Sequence, residues 1–334
     1  MAADAGVALS DLRFHSPSET GVGRKDVLRE LEGAIRVFEE LGDEAGLARA
    51  LCLGGKLRLW GGEAAAAIEG LERAARYARD AGDHAEEAES LRYAFTAMHR
   101  GPMPVDEALQ RCGEVGPEGN RRLEISLLET RAQLEAMRGR FDVARDLISQ
   151  ARALAEEHGL SRGPHAGAIE LLAGDAAAAE RELRPPCEDL ERVGELGFLA
   201  SVAPVLVDAV LAQGRVEEAL QLTERWTPER LTVPEDADAQ VGWRRVRAKV
   251  LASKGEFDEA ERLGREAVRI AAETDYLDAR AKAAADLAEV LRLAGRPKES
   301  AAALEEAIRL YDKKGNVVAA GTLRALLAEP PIEV

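Results

Sequence analysis

Apolar residues recur along this chain at three- and four-residue steps, and the runs are punctuated by glycine at a regular interval. "RKDVLRELEGAIRVFEELGD" shows the pattern. Val27, Leu28, Leu31, Ile35 and Phe38 fall on one side of a helix, and charged residues fill the other. Six glycines open a comparable run: Gly62, Gly139, Gly174, Gly214, Gly255 and Gly295. Five residues after them stand Ala67, Ala144, Ala179, Ala219, Ala260 and, in the last copy, Ser300. A second small residue follows in four copies, as Ala74, Ala151, Ala267 and Ala307. The copy near Met103 lacks the glycine but keeps Ala108 in the alanine slot. Successive marks lie about 40 residues apart, a period that signals stacked supersecondary units. Each unit is a pair of helices, and each pair packs only on its neighbours.

This pattern predicts an all-α, right-handed α-solenoid of about seven helix pairs over residues 23–328. Residues 1–22 read as a flexible arm, because Ser16, Pro17 and Ser18 interrupt any helix. Residues 329–334 read as a tail that two prolines prevent from extending the last helix. Weak joints are expected near 113–120, 160–167 and 226–237, where glycine and proline cluster. Pro185 and Pro186 are expected to bend or break the helix from Ala176 to Val193. The helix carrying Val27 and Ala34 matches the register of Ala67 and Ala74, so it is the second helix of an incomplete first unit. In "GDEAGLARAL" and "GDHAEEAESL" the glycine closes one helix and the aspartate caps the next.

A glycine, an aromatic two residues on, and alanines five and twelve residues on resemble the second-helix half of the tetratricopeptide repeat. "GRFDVARDLISQARAL" and "GEFDEAERLGREAVRI" carry the resemblance most fully. The first-helix half departs from the family. Its tryptophan is absent, and its glycine stands clearly only at Gly55 and Gly167. The period is also longer than the family's. That longer period, the "LGDEAGLARAL" linker and the Ala/Arg/Glu-rich style look similar to one subgroup, the C-terminal repeat arm of bacterial class III nucleotide cyclase and LuxR- or SARP-type STAND ATPase regulators. The resemblance implies a non-catalytic scaffold or sensor arm in bacterial signalling or transcriptional regulation. It also implies that the first helix of each pair lines a concave groove. "GVGRKDVLREL" resembles the box that opens STAND ATPase modules, but no G-x-x-x-x-G-K-[ST] follows to cradle phosphates.

Charge narrows the partners. With 45 basic and 61 acidic residues the net charge is −16, which repels nucleic-acid phosphates and anionic membrane surfaces. Cys52, Cys112 and Cys187 are scattered and odd in number, so neither a disulfide framework nor a zinc knuckle is expected. No signal-peptide pattern opens the chain, and its longest uncharged stretch, Leu196 to Val207, is too short to span a bilayer. A reducing cytoplasm fits these features. The five histidines share no metal-ligand spacing, and no nucleophile or acid–base motif is present. The expectation is no enzyme, no metal and no cofactor.

Counting back from each turn in helical steps projects one set of first-helix residues inward. Among them are the candidate binding residues Arg49, Lys56, Tyr93, Arg100, Glu129, Gln133, Asp208, Arg245, Lys249, Lys282 and Arg292. The projected groove is more basic than the chain as a whole, which suits an acidic peptide or an anionic metabolite. The asparagine-containing carboxylate clamp of chaperone-binding relatives is absent from these slots. The leading function is therefore binding of a protein or peptide segment in the groove. The alternative is a small-molecule sensor whose ligand alters superhelical curvature, and it requires a closed, partly apolar pocket. Val317, Val318 and Leu323 are expected either to cap the array or to pair two chains.

Overall fold

The turns that join paired helices follow from one backbone requirement. Gly62, Gly139, Gly174, Gly214, Gly255 and Gly295 all take the left-handed conformation, with φ between 73 and 88°. Any side chain there would be strained, so glycine fixes where six of the seven pairs reverse. The computed structural model describes residues 23–117, 119–159, 164–231 and 236–328, and every regular element among them is an α-helix. The arm at 1–22, the tail at 329–334 and parts of all three joints lie outside the described residues.

Helix α1 (Arg24–Leu41) stands without a pair among the described residues. Seven pairs follow: α2 (Glu44–Trp60) with α3 (Ala64–Asp80), α4 (His84–Arg100) with α5 (Val105–Glu114), and α6 (Arg121–Met137) with α7 (Phe141–Glu157). Next come α8 (His165–Leu172) with α9 (Ala176–Val193), and α10 (Leu196–Ala212) with α11 (Val216–Arg225). A single turn, α12 (Pro228–Leu231), precedes α13 (Ala237–Ser253) with α14 (Phe257–Ala272). The last pair is α15 (Leu277–Leu293) with α16 (Pro297–Lys314), and α17 (Val317–Ala328) ends the array. Helices pack on their pair and on the adjoining unit, which makes the fold an all-α helical-repeat solenoid.

Small residues set the spacing within pairs. Ala67, Ala144, Ala179, Ala219 and Ala260 are fully buried. Ser300 occupies the same slot because its hydroxyl donates to the Ala288 carbonyl at 2.7 Å, so no polar group is stranded. A Cβ on Gly55 would lie 2.5 Å from Leu71, and one on Gly167 would lie 2.3 Å from Leu183. These two glycines therefore let the paired helices cross closely. Asp43 and Asp83 cap α2 and α4, accepting from the backbone N–H of Gly46 at 2.9 Å and Glu86 at 3.1 Å. Ion pairs such as Arg145–Glu170 at 2.7 Å and Arg184–Glu218 at 2.6 Å tie neighbouring units together.

Pro185 and Pro186 do not break α9, which runs unbroken from Ala176 to Val193. Leu183 and Cys187 bury the face between neighbouring helices, and this packing outweighs the lost hydrogen bonds. The carbonyls that lose their partners belong to Arg181 and Glu182, which are exposed and half-exposed.

The end of the array returns to its beginning. Asp275, between α14 and α15, accepts from the backbone N–H of Ala64 and Ala65, both at 2.8 Å. It thereby caps α3, whose own cap residue, Glu63, makes no side-chain bond of this kind. The Asp275 N–H donates to the Gly62 carbonyl at 2.9 Å, and the Tyr276 hydroxyl donates to the Leu59 carbonyl. Lys314, fully buried at the end of α16, donates to the carbonyls of Met98, Gly101 and Met103 at 2.8, 2.9 and 2.8 Å. Val318 turns toward Gly139 in the third pair, whereas Val317 stays exposed.

Candidate functional site: the inner face of the first helices

The residues projected inward by register sit in several clusters. On α10, α13 and α15 they form a lattice that crosses three successive units. Arg245 donates to Asp208 at 2.6 Å and to Asp286 at 2.8 Å. Lys249, one turn further on, lies 3.1 Å from Asp208, 3.4 Å from Asp286 and 3.6 Å from Glu289. The Arg245 side chain is 8% exposed. Burial pushes the Asp208 carboxyl up, but Arg245 and Lys249 outweigh it and hold the group down at about 2.

A second cluster joins α2 to α4. Lys56 bonds Glu89 at 2.8 Å and stands 4.6 Å from the centre of the Tyr93 ring. Tyr93 in turn meets Trp60 edge to face, with centroids 6.1 Å apart and planes at 80°. All four side chains are half-buried. Burial disfavours the Glu89 charge, and its bonds to Lys56 and Arg92 outweigh that and lower its pKa. The result is a cation, a carboxylate and two aromatic rings fixed against one another before any partner arrives.

The other projected residues are dispersed. Arg49 is half-buried on α2. Arg100 reaches Asp238 at the start of α13, 3.2 Å away. Glu129 lies 3.4 Å from the His165 ring, and the Gln133 amide donates to the Glu129 backbone carbonyl at 3.4 Å. Lys282 pairs with Asp278 at 2.9 Å, and Arg292 is exposed. Burial pushes Asp278 up, yet Lys282 chiefly, with its bond, His99 and Asn316, holds it at about 2.

The positive stripe read from the register is thus one half of a paired surface. Lys56, Arg100, Arg245, Lys249 and Lys282 each face a carboxylate. Register counting passed over most of those carboxylates, along with Trp60. Asp286 had a local signal, since it lies four residues after Lys282 and three before Glu289 on one helix. Asp238 had none, because its partner Arg100 is in a distant unit.

Elsewhere, a cleft of about 320 Å³ including its open mouth is lined by residues such as Pro204, Trp226, Leu231 and Trp243. Its enclosed part has room for about one water molecule. Among the described residues no cluster of His, Cys, Asp and Glu is arranged to hold a metal ion. No described helix is long and apolar enough to cross a membrane.

Residues 240–313 match the tetratricopeptide repeat family. No curated protein matches the chain. Among solved structures, the chain is similar to NprR in complex with its cognate peptide NprX, at 13% identity and a TM-score of 0.52 over 73% of this chain and 72% of that one. Yeast Tom70 aligns at 15% identity and a TM-score of 0.49, over 90% of this chain and 60% of that one. The apo quorum sensor NprR from B. thuringiensis aligns at 14% identity and a TM-score of 0.47, over 87% and 82% of the two chains. At such identities the likeness concerns the fold.

Proposed function

We propose that this chain is a non-catalytic interaction module, a scaffold or sensor arm that binds a peptide or extended protein segment on its inner face. The carrying observation is the Lys56–Tyr93–Trp60 cluster. In a chain with only 4% aromatic residues, two rings and a cation meet on the first helices, half-open to solvent. Interfaces concentrate their energy on such anchored aromatic groups. The surrounding bonds hold them in place, so little ordering is lost on binding. The peptide-bound NprR structure supports the reading as a precedent for the fold. A role in bacterial signalling or transcriptional regulation belongs to the same proposal and follows from the resemblance to regulator arms.

Charge pairing refines the partner. Lys56, Arg100, Arg245, Lys249 and Lys282 are compensated by Glu89, Asp238, Asp208, Asp286 and Asp278, so a purely acidic segment meets no continuous bare positive stripe. A segment of low or mixed charge with an apolar anchor fits better. The small-molecule alternative asks for an enclosed pocket, and the cleft beside Trp226 encloses too little space for one.

Photo-crosslinking in the native cell tests this. A benzophenone amino acid at position 93 should crosslink a discrete polypeptide. The same group at position 269, an arginine 63% exposed on α14, should not. Crosslinks from position 269 alone would overturn the inner-face reading.

A further inference from the structure

We propose that the contacts joining the last units to the first form a clasp, and that the solenoid opens and closes along it as one cooperative step. The clasp has two pins. Asp275 caps the N-terminus of α3 through Ala64 and Ala65, and Lys314 caps the C-terminal turn of α4 through Met98, Gly101 and Met103. Between them the Tyr276 hydroxyl holds the Leu59 carbonyl, and Arg100 holds Asp238. The two pins and the Tyr276 bond span more than two hundred residues of sequence, with separations of 211, 213 and 217 for Ala64–Asp275, Gly101–Lys314 and Leu59–Tyr276.

The chemistry of the seam sets it apart from the joints between neighbouring units. Neighbours are held by buried alanine and leucine, which lose their packing when separated. Most groups bonded across the seam are the orphan N–H and C=O groups that every helix end presents, and water satisfies these equally well. Opening therefore strands few polar groups, although Tyr276 must leave its apolar surroundings. Lys314 faces His99 on α4, Asp278 on α15 and Asp275 at the seam. Burial lowers its pKa to about 8, so it still carries its charge at neutral pH. The Arg100–Asp238 pair brings α4 against the start of α13. Control of partner entry by the clasp rests on the proposed inner-face binding. The clasp itself does not.

Hydrogen exchange on the full chain, with no peptide added, tests the clasp. Lys314→Met removes one pin, and the readout is the other: the Ala64 and Ala65 amides bonded to Asp275. Their exchange should accelerate about tenfold or more, as expected for loss of charge-assisted bonds that gate a sub-global opening. Amides inside α10 should keep their rates, and the radius of gyration should rise. If only the Met98–Met103 segment loosens, the two pins are independent local caps and the proposal fails. Should Lys314→Met not fold, Asp275→Asn gives the reciprocal test, read at the Gly101 amide bonded to Ala97. Unchanged exchange at Gly101 would overturn the clasp equally. Because no partner is present, failure here leaves peptide binding untouched, and a failed crosslink at position 93 leaves the clasp untouched.

Discussion

Replacing Arg245 by methionine tests the inner lattice most severely. The guanidinium on α13 bonds Asp208 of the preceding unit and Asp286 of the following one, and all three side chains are at most 14% exposed. Methionine keeps much of the apolar stem, so the loss is mainly charge. Asp208 and Asp286 would then share Lys249, at 3.1 and 3.4 Å, leaving an uncompensated carboxylate in the interior. Breaking a buried pair in this way costs about 3–5 kcal/mol. That is a large part of the roughly 5–15 kcal/mol that stabilises an ordinary domain. Urea unfolding followed by circular dichroism should show a clearly lowered midpoint. Adding Asp286→Asn removes the surplus charge and should recover much of the loss. A midpoint equal to that of the parent chain, or a double variant weaker than the single one, would refute the reasoning.

Acid should weaken the same lattice and the separate Lys282–Asp278 pair. Asp208 and Asp278 are held at about 2 against an ordinary 3.8, so their stabilisation is complete above the ordinary value and is lost as pH falls through about 2. Melting temperatures measured from pH 6 to 2 should fall less steeply for Asp208→Asn. Asp236 acts in the opposite sense, since burial and Asp238 push it up to about 6; its contribution is present below the ordinary value and fades as pH rises through 6. Gly167→Ala drives a Cβ to within 2.3 Å of buried Leu183 and should cost about 1–3 kcal/mol in thermal or urea melts. Gly113→Ala, with open space around its Cβ, should be neutral or slightly stabilising. Burial pushes the thiols of Cys52, Cys112 and Cys187 up to about 12, 11 and 12, so a disulfide reagent at pH 8 should label them only after denaturant is added.

Much of the fold was legible because its rules are local and repeat. A left-handed glycine, a buried alanine five residues later and an aspartate cap each act within one or two turns of chain, so one sequence displays them several times. Pro185 and Pro186 escaped that logic, since continuity of α9 comes from the tertiary burial of Leu183 and Cys187. The charge lattice on the first helices was legible in part. Register brings Asp208, Arg245 and Lys249 together because adjacent first helices repeat the same rotation. Their counter-charge Asp286 sits one position off the counted register. The clasp left no trace in the period, because a nearest-neighbour repeat encodes contacts between adjoining units only. Asp275, Tyr276 and Lys314 occupy loop and helix-end positions where any polar residue satisfies the periodic pattern.

The central claim is that a polypeptide seats on the inner face at Lys56, Tyr93 and Trp60. The most direct measurement is native mass spectrometry of the protein purified gently from its own cells, as the parent chain, as Tyr93→Ala and as Arg269→Ala. The account predicts 35.9 kDa plus a second polypeptide for the parent and for Arg269→Ala, with the added mass lost or strongly reduced in Tyr93→Ala. An added mass that survives Tyr93→Ala but disappears in Arg269→Ala would contradict it.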